Sequence, residues 1–229
     1  MDMVKSKGTY TLRRLFPSLC EEDLTVMQAH SSVIKLRRGQ NLFIAGDAPR
    51  SIYAVANGCL KIVRESVEGE SVITRIVRPG HIVGIREIFG EFKYGRTSVA
   101  LKESEVFSID SQATLDLIKR SPSVSMQFMK IFCTELSRLE KRIESDLYRT
   151  AKSRVASVIW ELFNVFADEG HSAFEPPLNR RDIAELADVT PETVSRALAD
   201  FKTAGLLETS GPSFNILDTT GLFNEAEDR

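Results

Sequence analysis

The sequence predicts an α+β chain: an N-terminal antiparallel β-barrel of the jelly-roll kind, then one long helix, then a compact C-terminal winged helix-turn-helix. Three observations predict it. Short β-rich runs broken by turn residues fill Ser32 to Asp110, and apolar residues then recur at heptad spacing from Met126 to Leu147. Last, two capped helices joined by a tight turn and followed by a hairpin occupy Asn179 to Leu217. The expected divisions are residues 1–110, with an N-terminal helical segment before the barrel, 111–150, and 151–229.

The barrel rests on runs such as Val33–Leu36, Leu42–Ile44, Ser51–Val55, Leu60–Val63 and Val72–Val77. Between them stand Arg38-Gly39, Gly46-Asp47, Asn57-Gly58, Glu68-Gly69 and Pro79-Gly80. Evenly spaced short strands with such turns predict an antiparallel barrel or sandwich. Alternation is imperfect in Lys61–Arg64 and Thr74–Val77, and bulges in a small barrel would account for that.

After Ser111 the period becomes helical, with Pro122 interrupting and a long helix expected over Ser123–Tyr148. Met126, Met129, Cys133, Leu136, Ile143 and Leu147 fall at heptad spacing, with Glu140 as the charged member of the seam. Phe128, Phe132 and Leu139 lie on a neighbouring face. A helix with two apolar faces must cover two surfaces, and these are expected to be the barrel and a second copy of the helix. Its length would be about 35–40 Å.

A hinge is expected near 148–151, then a helix over Ala151–Asp168 with Val155, Val158, Ile159, Leu162, Phe163 and Phe166 inward and Gly170 ending it. Asn179 is placed to cap the next helix, with Asp182 reaching back as in a capping box. Ile183, Ala184, Leu186 and Ala187 form that helix's buried side, and Asp188-Val189 the turn. Thr190 caps the second helix, Pro191 takes its first position, Val194, Leu198 and Phe201 face inward, and Gly205 stops it. Leu206–Thr209 and Phe214–Leu217 about a Ser210–Ser213 turn read as a hairpin wing.

Glu192, Ser195 and Arg196 stand at i, i+3 and i+4 on the outward face of that second helix. Arginine can bond guanine through two donors and glutamate can accept from the cytosine amino group, so this face suits base reading in the major groove. Asn179, Arg180, Arg181, Thr190, Thr193, Lys202 and Ser210 are the expected phosphate-backbone contacts. The segment Lys152–Arg229 nevertheless holds 14 Asp/Glu against 7 Lys/Arg. Affinity must then come from a few placed cations and helix N-termini, with a sharp dependence on salt.

Length and composition limit the alternatives. A chain of 229 residues suits two modest domains, and a net charge of −2 gives no global attraction to nucleic acid. Cys20, Cys59 and Cys133 are too far apart for a disulfide framework or a metal cluster, and are expected as buried small hydrophobes in a reducing compartment. Residues 1–11 lack the apolar core of a secretory signal, and no apolar run approaches the ~20 residues of a membrane span. A soluble, cytoplasmic protein without a membrane partner is expected. No nucleophile–base pair, phosphate-cradling glycine loop or metal-ligand spacing marks an enzyme, so no catalytic or metal residues are assigned.

The whole chain from about 12 to 217 resembles the CRP/FNR family, most specifically in Val189–Arg196, and Glu192-Thr193-Val194-Ser195-Arg196 is similar to the Glu-x-x-Ser-Arg signature of the FNR-type branch. The resemblance implies a cyclic-nucleotide-binding-like sensor barrel, a homodimer through the long helix, and double-stranded DNA as partner, with RNA polymerase as a further partner if the protein activates. It also implies that Glu192 and Arg196 read a G·C pair and Ser195 a neighbouring base of a TTGA-like half-site. The family's nucleotide cassette begins Gly-Glu and ends Arg-Ser/Thr/Ala. Here Glu87 and Arg96 can take the ribose and phosphate roles, Thr97 follows, and Arg86 replaces the glycine, which weighs against a cyclic nucleotide. The cysteine set of the branch's iron–sulfur cluster is missing, and the isolated His30, His81 and His171 do not suit haem. The rival expectation is a small-molecule-binding protein whose helical domain docks on a protein partner.

Overall fold

The structure, a computed structural model, describes residues 12, 13, 16, 17, 19–65, 71–90 and 93–227. The expected Glu68-Gly69 turn and the residues judged for a secretory signal lie outside these. Two compact units are resolved: one holds residues up to Ser71 together with Arg75–Leu136, the other Val72–Thr74 with Ser137 onward.

In the first unit, α1 (Glu21–Ala29) precedes eight strands: β1 (Ser31–Leu36), β2 (Asn41–Phe43), β3 (Ser51–Asn57), β4 (Leu60–Glu65), β5 (Ser71–Val77), β6 (Ile82–Val83), β7 (Thr97–Ala100) and β8 (Ser104–Asp110). A short α2 (Ile85–Gly90) lies between β6 and β7. The strands form two four-stranded sheets, β1-β8-β3-β6 and β2-β7-β4-β5, and the pairings described are antiparallel, as a jelly roll requires.

The central strands of the first sheet are buried on both faces. Tyr53, Val55 and Val106 meet Phe43, Leu60, Ile62 and Val77 between the sheets. Ile52, Ala54, Phe107 and Ile109 instead face Leu24, Met27, Leu117, Val124 and Phe128 from the covering helices. Two-sided burial removes the need for polar residues at alternate positions, which is why these runs read as continuous apolar stretches. The bulge expected in Lys61–Arg64 does not fall within Lys61–Val63. β4 pairs β7 without a break from Leu60↔Ala100 to Val63↔Thr97. The shifts fall between Asn41 and Phe43 in β2 and between Val55 and Asn57 in β3.

Asp110 caps α3 (Ser111–Arg120) by accepting from the Ala113 N–H at 2.8 Å. The long helix α4 (Pro122–Tyr148) follows, 27 residues and therefore about 40 Å long. It starts on Pro122 itself, where a missing N–H is harmless. Phe128 is buried and Phe132 packs partly against the same core, but Leu139, expected on that face, is 49% exposed. The apolar face toward the sheet therefore covers the first half of the helix. Of the cysteines, Cys59 is buried as expected, whereas Cys20 and Cys133 are exposed: one precedes α1 as its N-cap and the other sits on the outer seam of α4.

The second unit is built on α5 (Ala151–Phe166), which buries Val155, Ala156, Val158, Ile159 and Leu162. Its C-cap is Ala167, earlier than the expected stop at Gly170. Around it stand β9 (Ala173–Phe174), α6 (Arg180–Ala187), α7 (Pro191–Thr203), β10 (Leu207–Ser210), β11 (Ser213–Ile216) and a C-terminal α8 (Thr219–Glu227) that the sequence reading did not anticipate. The order β10-β11-β9 makes a three-stranded antiparallel wing. Phe174 stacks on Phe214 at 5.3 Å and meets Phe163 edge-on at 5.7 Å, which fastens the wing to α5.

Gly58 turns β3 into β4 with φ +92°, and a Cβ there would lie 2.2 Å from the Ser104 Oγ and 2.5 Å from its Cα. That Oγ also accepts from the Cys59 N–H at 3.0 Å. Gly58→Ala is expected to destabilise the first unit by about 2–4 kcal/mol, combining left-handed strain with overpacking. Urea unfolding followed by circular dichroism checks it, and an unchanged midpoint would refute this account of the turn.

Candidate nucleic-acid interface

The two helices of the C-terminal unit are fixed at their ends by local chemistry. Asn179 accepts from the Asp182 N–H at 2.9 Å while the Asp182 carboxylate accepts from the Asn179 N–H at 2.8 Å, a complete capping box. Asp188 ends α6 in the left-handed region, φ 51°. Thr190 then caps α7, its Oγ1 accepting from the Thr193 N–H at 3.3 Å, and Pro191 takes the first turn. Val194, Ala197, Leu198 and Phe201 are buried. Burial of that stripe turns Glu192, Ser195 and Arg196 outward, and all three are exposed.

The chemistry of this face is specific. The Ser195 hydroxyl donates to the Pro191 carbonyl at 3.0 Å. The Glu192 carboxyl is held below its usual range by its own backbone N–H and by the Thr190 hydroxyl, so it stays ionised. Lys202 is exposed in the last turn of α7, and Ser210 is exposed at the tip of the wing, paired with Ser213. Arg181 is exposed but engages Glu185 at 3.3 Å. Thr193 is half-buried beside Thr190.

Arg180 is less exposed than Arg181. Its guanidinium lies 5.4 Å above the Phe214 ring, and burial lowers its pKa. A cation stacked on the wing in this way joins α6 to β11.

In the first unit the sequence-assigned pocket residues have these contacts. Arg86 is exposed on α2 and pairs with its own neighbour, the buried Glu87, at 3.3 Å. The Thr97 hydroxyl accepts from the Ala45 N–H at 3.1 Å, and Arg96 is partly buried in the loop before β7. The glycine thought to be replaced by Arg86 is present two residues earlier. Gly84 has φ +80°, and a Cβ there would stand 3.1 Å from the Ser51 carbonyl oxygen. After it comes Ile85, buried in the helix-side core, where the Gly-Glu cassette would need a carboxylate. These residues do not fit a cyclic nucleotide.

The seam residues Met126, Met129, Leu136, Ile143 and Leu147 are between 52% and 69% exposed, and Cys133 and Glu140 are exposed with them. Inward of the seam, Arg75 on β5 donates twice to the Glu135 carboxylate, both bonds 2.8 Å. Among the described residues no group of His, Cys, Asp or Glu is placed to hold a metal ion.

Sequence reading missed Arg154, whose Nη2 donates to the Asp188 carbonyl at 3.0 Å, and it missed the pairing of Arg75 with Glu135. Both partners are distant in the chain, and no local pattern announces them.

A jelly roll, a long helix and a capped helix-turn-helix with a wing together define a DNA-binding transcription regulator. Residues 33–121 match the cyclic nucleotide-binding domain and residues 153–224 the Crp-like helix-turn-helix domain. The transcriptional activator protein FnrA of Stutzerimonas stutzeri is 31% identical over 202 residues, 86% of this chain and 82% of that protein. The fumarate and nitrate reduction regulatory protein of Escherichia coli K12 is 30% identical over 189 residues, 82% of this chain and 75% of that one. FixK2 of Bradyrhizobium japonicum shares the fold with a TM-score of 0.74 at 22% identity, over 87% of this chain and 98% of that one. A regulator of the crp/fnr family from Eubacterium rectale does so at 0.75 and 19%, over 93% and 98%. The chain belongs to the CRP/FNR family of transcription regulators, and it is not an enzyme.

One titration follows from the edge of the sheet. His81, half-buried, has its pKa lowered from 6.5 by desolvation and by Arg75 and Arg78. The native state therefore binds fewer protons than the unfolded chain, and stability falls as pH drops through about 6.5. Urea midpoints measured from pH 8 to 5.5 should show this decline, and His81→Asn should flatten it. Identical profiles for parent and variant would rule it out.

Proposed function

We propose that two copies of the chain pair along the Met126–Leu147 seam and bind a twofold DNA site. Glu192 and Arg196 read a G·C pair and Ser195 an adjacent base in a TTGA-like half-site. The observation that carries this reading is the outward, exposed placement of those three side chains on a helix anchored at both ends. Half-sites about one turn apart, roughly 34 Å, suit such a dimer. Asn179, Arg181, Lys202, Ser210 and the capped N-termini supply backbone contacts, with Thr190 acting chiefly as a cap and Thr193 as its partner. Where the protein activates, RNA polymerase is the further partner, and the setting is the cytoplasm. Among the described residues no helix is long and apolar enough to cross a membrane. Any effector of the jelly roll is a molecule other than a cyclic nucleotide.

Arg196→Ala is expected to cost about 1–3 kcal/mol at the selected half-site and to relax the preference for its G·C pair. Selection from a randomised duplex pool followed by gel shift at several salt concentrations measures this. A variant that binds every sequence as tightly as the parent would end the base-reading assignment.

The seam carries its own test. Leu136→Glu should shift sedimentation toward monomer, and mild oxidation of a Cys20→Ser chain should give a dimer linked through Cys133. An unchanged dimer in the first experiment would refute the seam.

A further inference from the structure

We infer that Arg154 is a positioning residue for DNA reading: its guanidinium clamps the turn between α6 and α7 and so sets the angle at which Glu192, Ser195 and Arg196 are presented. The inference rests on the base-reading function proposed above.

Three observations meet at this turn. Asp188 is the non-glycine residue with positive φ among the described residues, at φ 51° and ψ 53°, a conformation that an L side chain adopts at a cost. Its N–H is already held, donating to the Ala184 and Glu185 carbonyls, and the Val189 N–H donates to Ala184 at 3.0 Å. What fixes its carbonyl is Arg154 on α5, at 3.0 Å. The acceptor lies at the C-terminus of α6, where the helix leaves partial negative charge, so a cation is the fitting donor. α7 begins three residues after Asp188, on Pro191. A rotation of the Asp188 peptide therefore swings the whole recognition helix.

Arg149 supplies an internal control. It too clamps α5, donating to the Ser157 hydroxyl at 2.6 Å and to Glu227 at 3.0 Å, but on the side of α8 and not at the turn.

The test compares the affinity of the full-length protein for its selected duplex with that for a scrambled duplex at fixed salt. It is made well below the melting temperature of each variant. Arg154→Met should lower the ratio about tenfold, the worth of one charge-assisted hydrogen bond, with scrambled-duplex affinity unchanged. All three base positions should lose preference together, unlike the single-position effect of Arg196→Ala. Arg154→Lys should recover most of the ratio, and Arg149→Met should keep it. If the methionine variant does not fold, Arg154→Gln takes its place with the same expectation. A folded Arg154→Met or Arg154→Gln variant with the parent's ratio overturns the inference, and so does an equal loss in Arg149→Met. A parent that selects no sequence would defeat the base-reading function itself, a result distinct from either.

Discussion

The burial of Val194, Ala197, Leu198 and Phe201 beneath the second unit is the constraint on which the interface depends. A helix of 13 residues is marginal alone in water, so α7 exists because its apolar stripe is removed from solvent. Each large side chain so buried contributes about 1.5–3 kcal/mol. The same burial fixes the rotation of the helix about its axis. Once the stripe faces α5 and α6, positions 192, 195 and 196 have no direction left but outward. The caps at Thr190 and Asn179 then decide where each helix begins. The outward face is thus set by packing, and its polar residues are free of any packing role.

That chemistry works against the electrostatics of its own domain. With an excess of carboxylates and with Arg180 withdrawn onto Phe214, the unit offers a duplex little general attraction. Glu192 sharpens the problem. It is stabilised as an anion at the start of α7, where the helix favours negative charge. Carried into a groove lined by phosphates, an ionised carboxylate is costly unless it meets a donor such as the cytosine amino group. Such an arrangement discriminates by penalising wrong partners as much as by rewarding the right one. A strongly basic domain would bind more tightly and choose less well.

How much of this was legible in the sequence depended on how far each partner lay along the chain. The Asn179–Asp182 box and the Thr190 cap span three residues, so spacing alone exposed them. The heptad seam was legible because periodicity survives without knowledge of the partner. Arg180 over Phe214, Arg154 on Asp188 and Arg75 on Glu135 were hidden, since long cationic side chains find partners 34 to 60 residues away that no pattern encodes. Cys133 was misjudged for a related reason: its seam is apolar, yet within one chain it faces outward. α8 is hidden from periodicity because, of its nine residues, Leu222 and Ala226 are the buried ones, too sparse an apolar pattern to announce a helix. The cassette glycine is hidden in the sequence because Gly84 is followed by Ile85 and not by a glutamate. The backbone instead shows which glycine is in the left-handed region.

The jelly-roll unit matches the cyclic nucleotide-binding domain without a Gly-Glu pair at its left-handed glycine. Gly84 keeps the turn that brings the Ser51 backbone close, but Ile85 after it is committed to the core beside Phe128, and Glu87 is committed to Arg86. A carboxylate at position 85 would have to be buried among Leu117, Val124 and Phe128, at a desolvation cost of several kcal/mol. The apolar choice stabilises the packing of the helices on the sheet at the expense of a ribose contact. The mechanical link survives that exchange. Arg75 and Glu135 join β5 to α4 through two parallel charge-assisted bonds, one residue from Leu136 on the seam. Arg75 is largely buried, so releasing the pair would leave a desolvated cation and carboxylate without each other. The pair therefore couples the sheet edge to the middle of the helix.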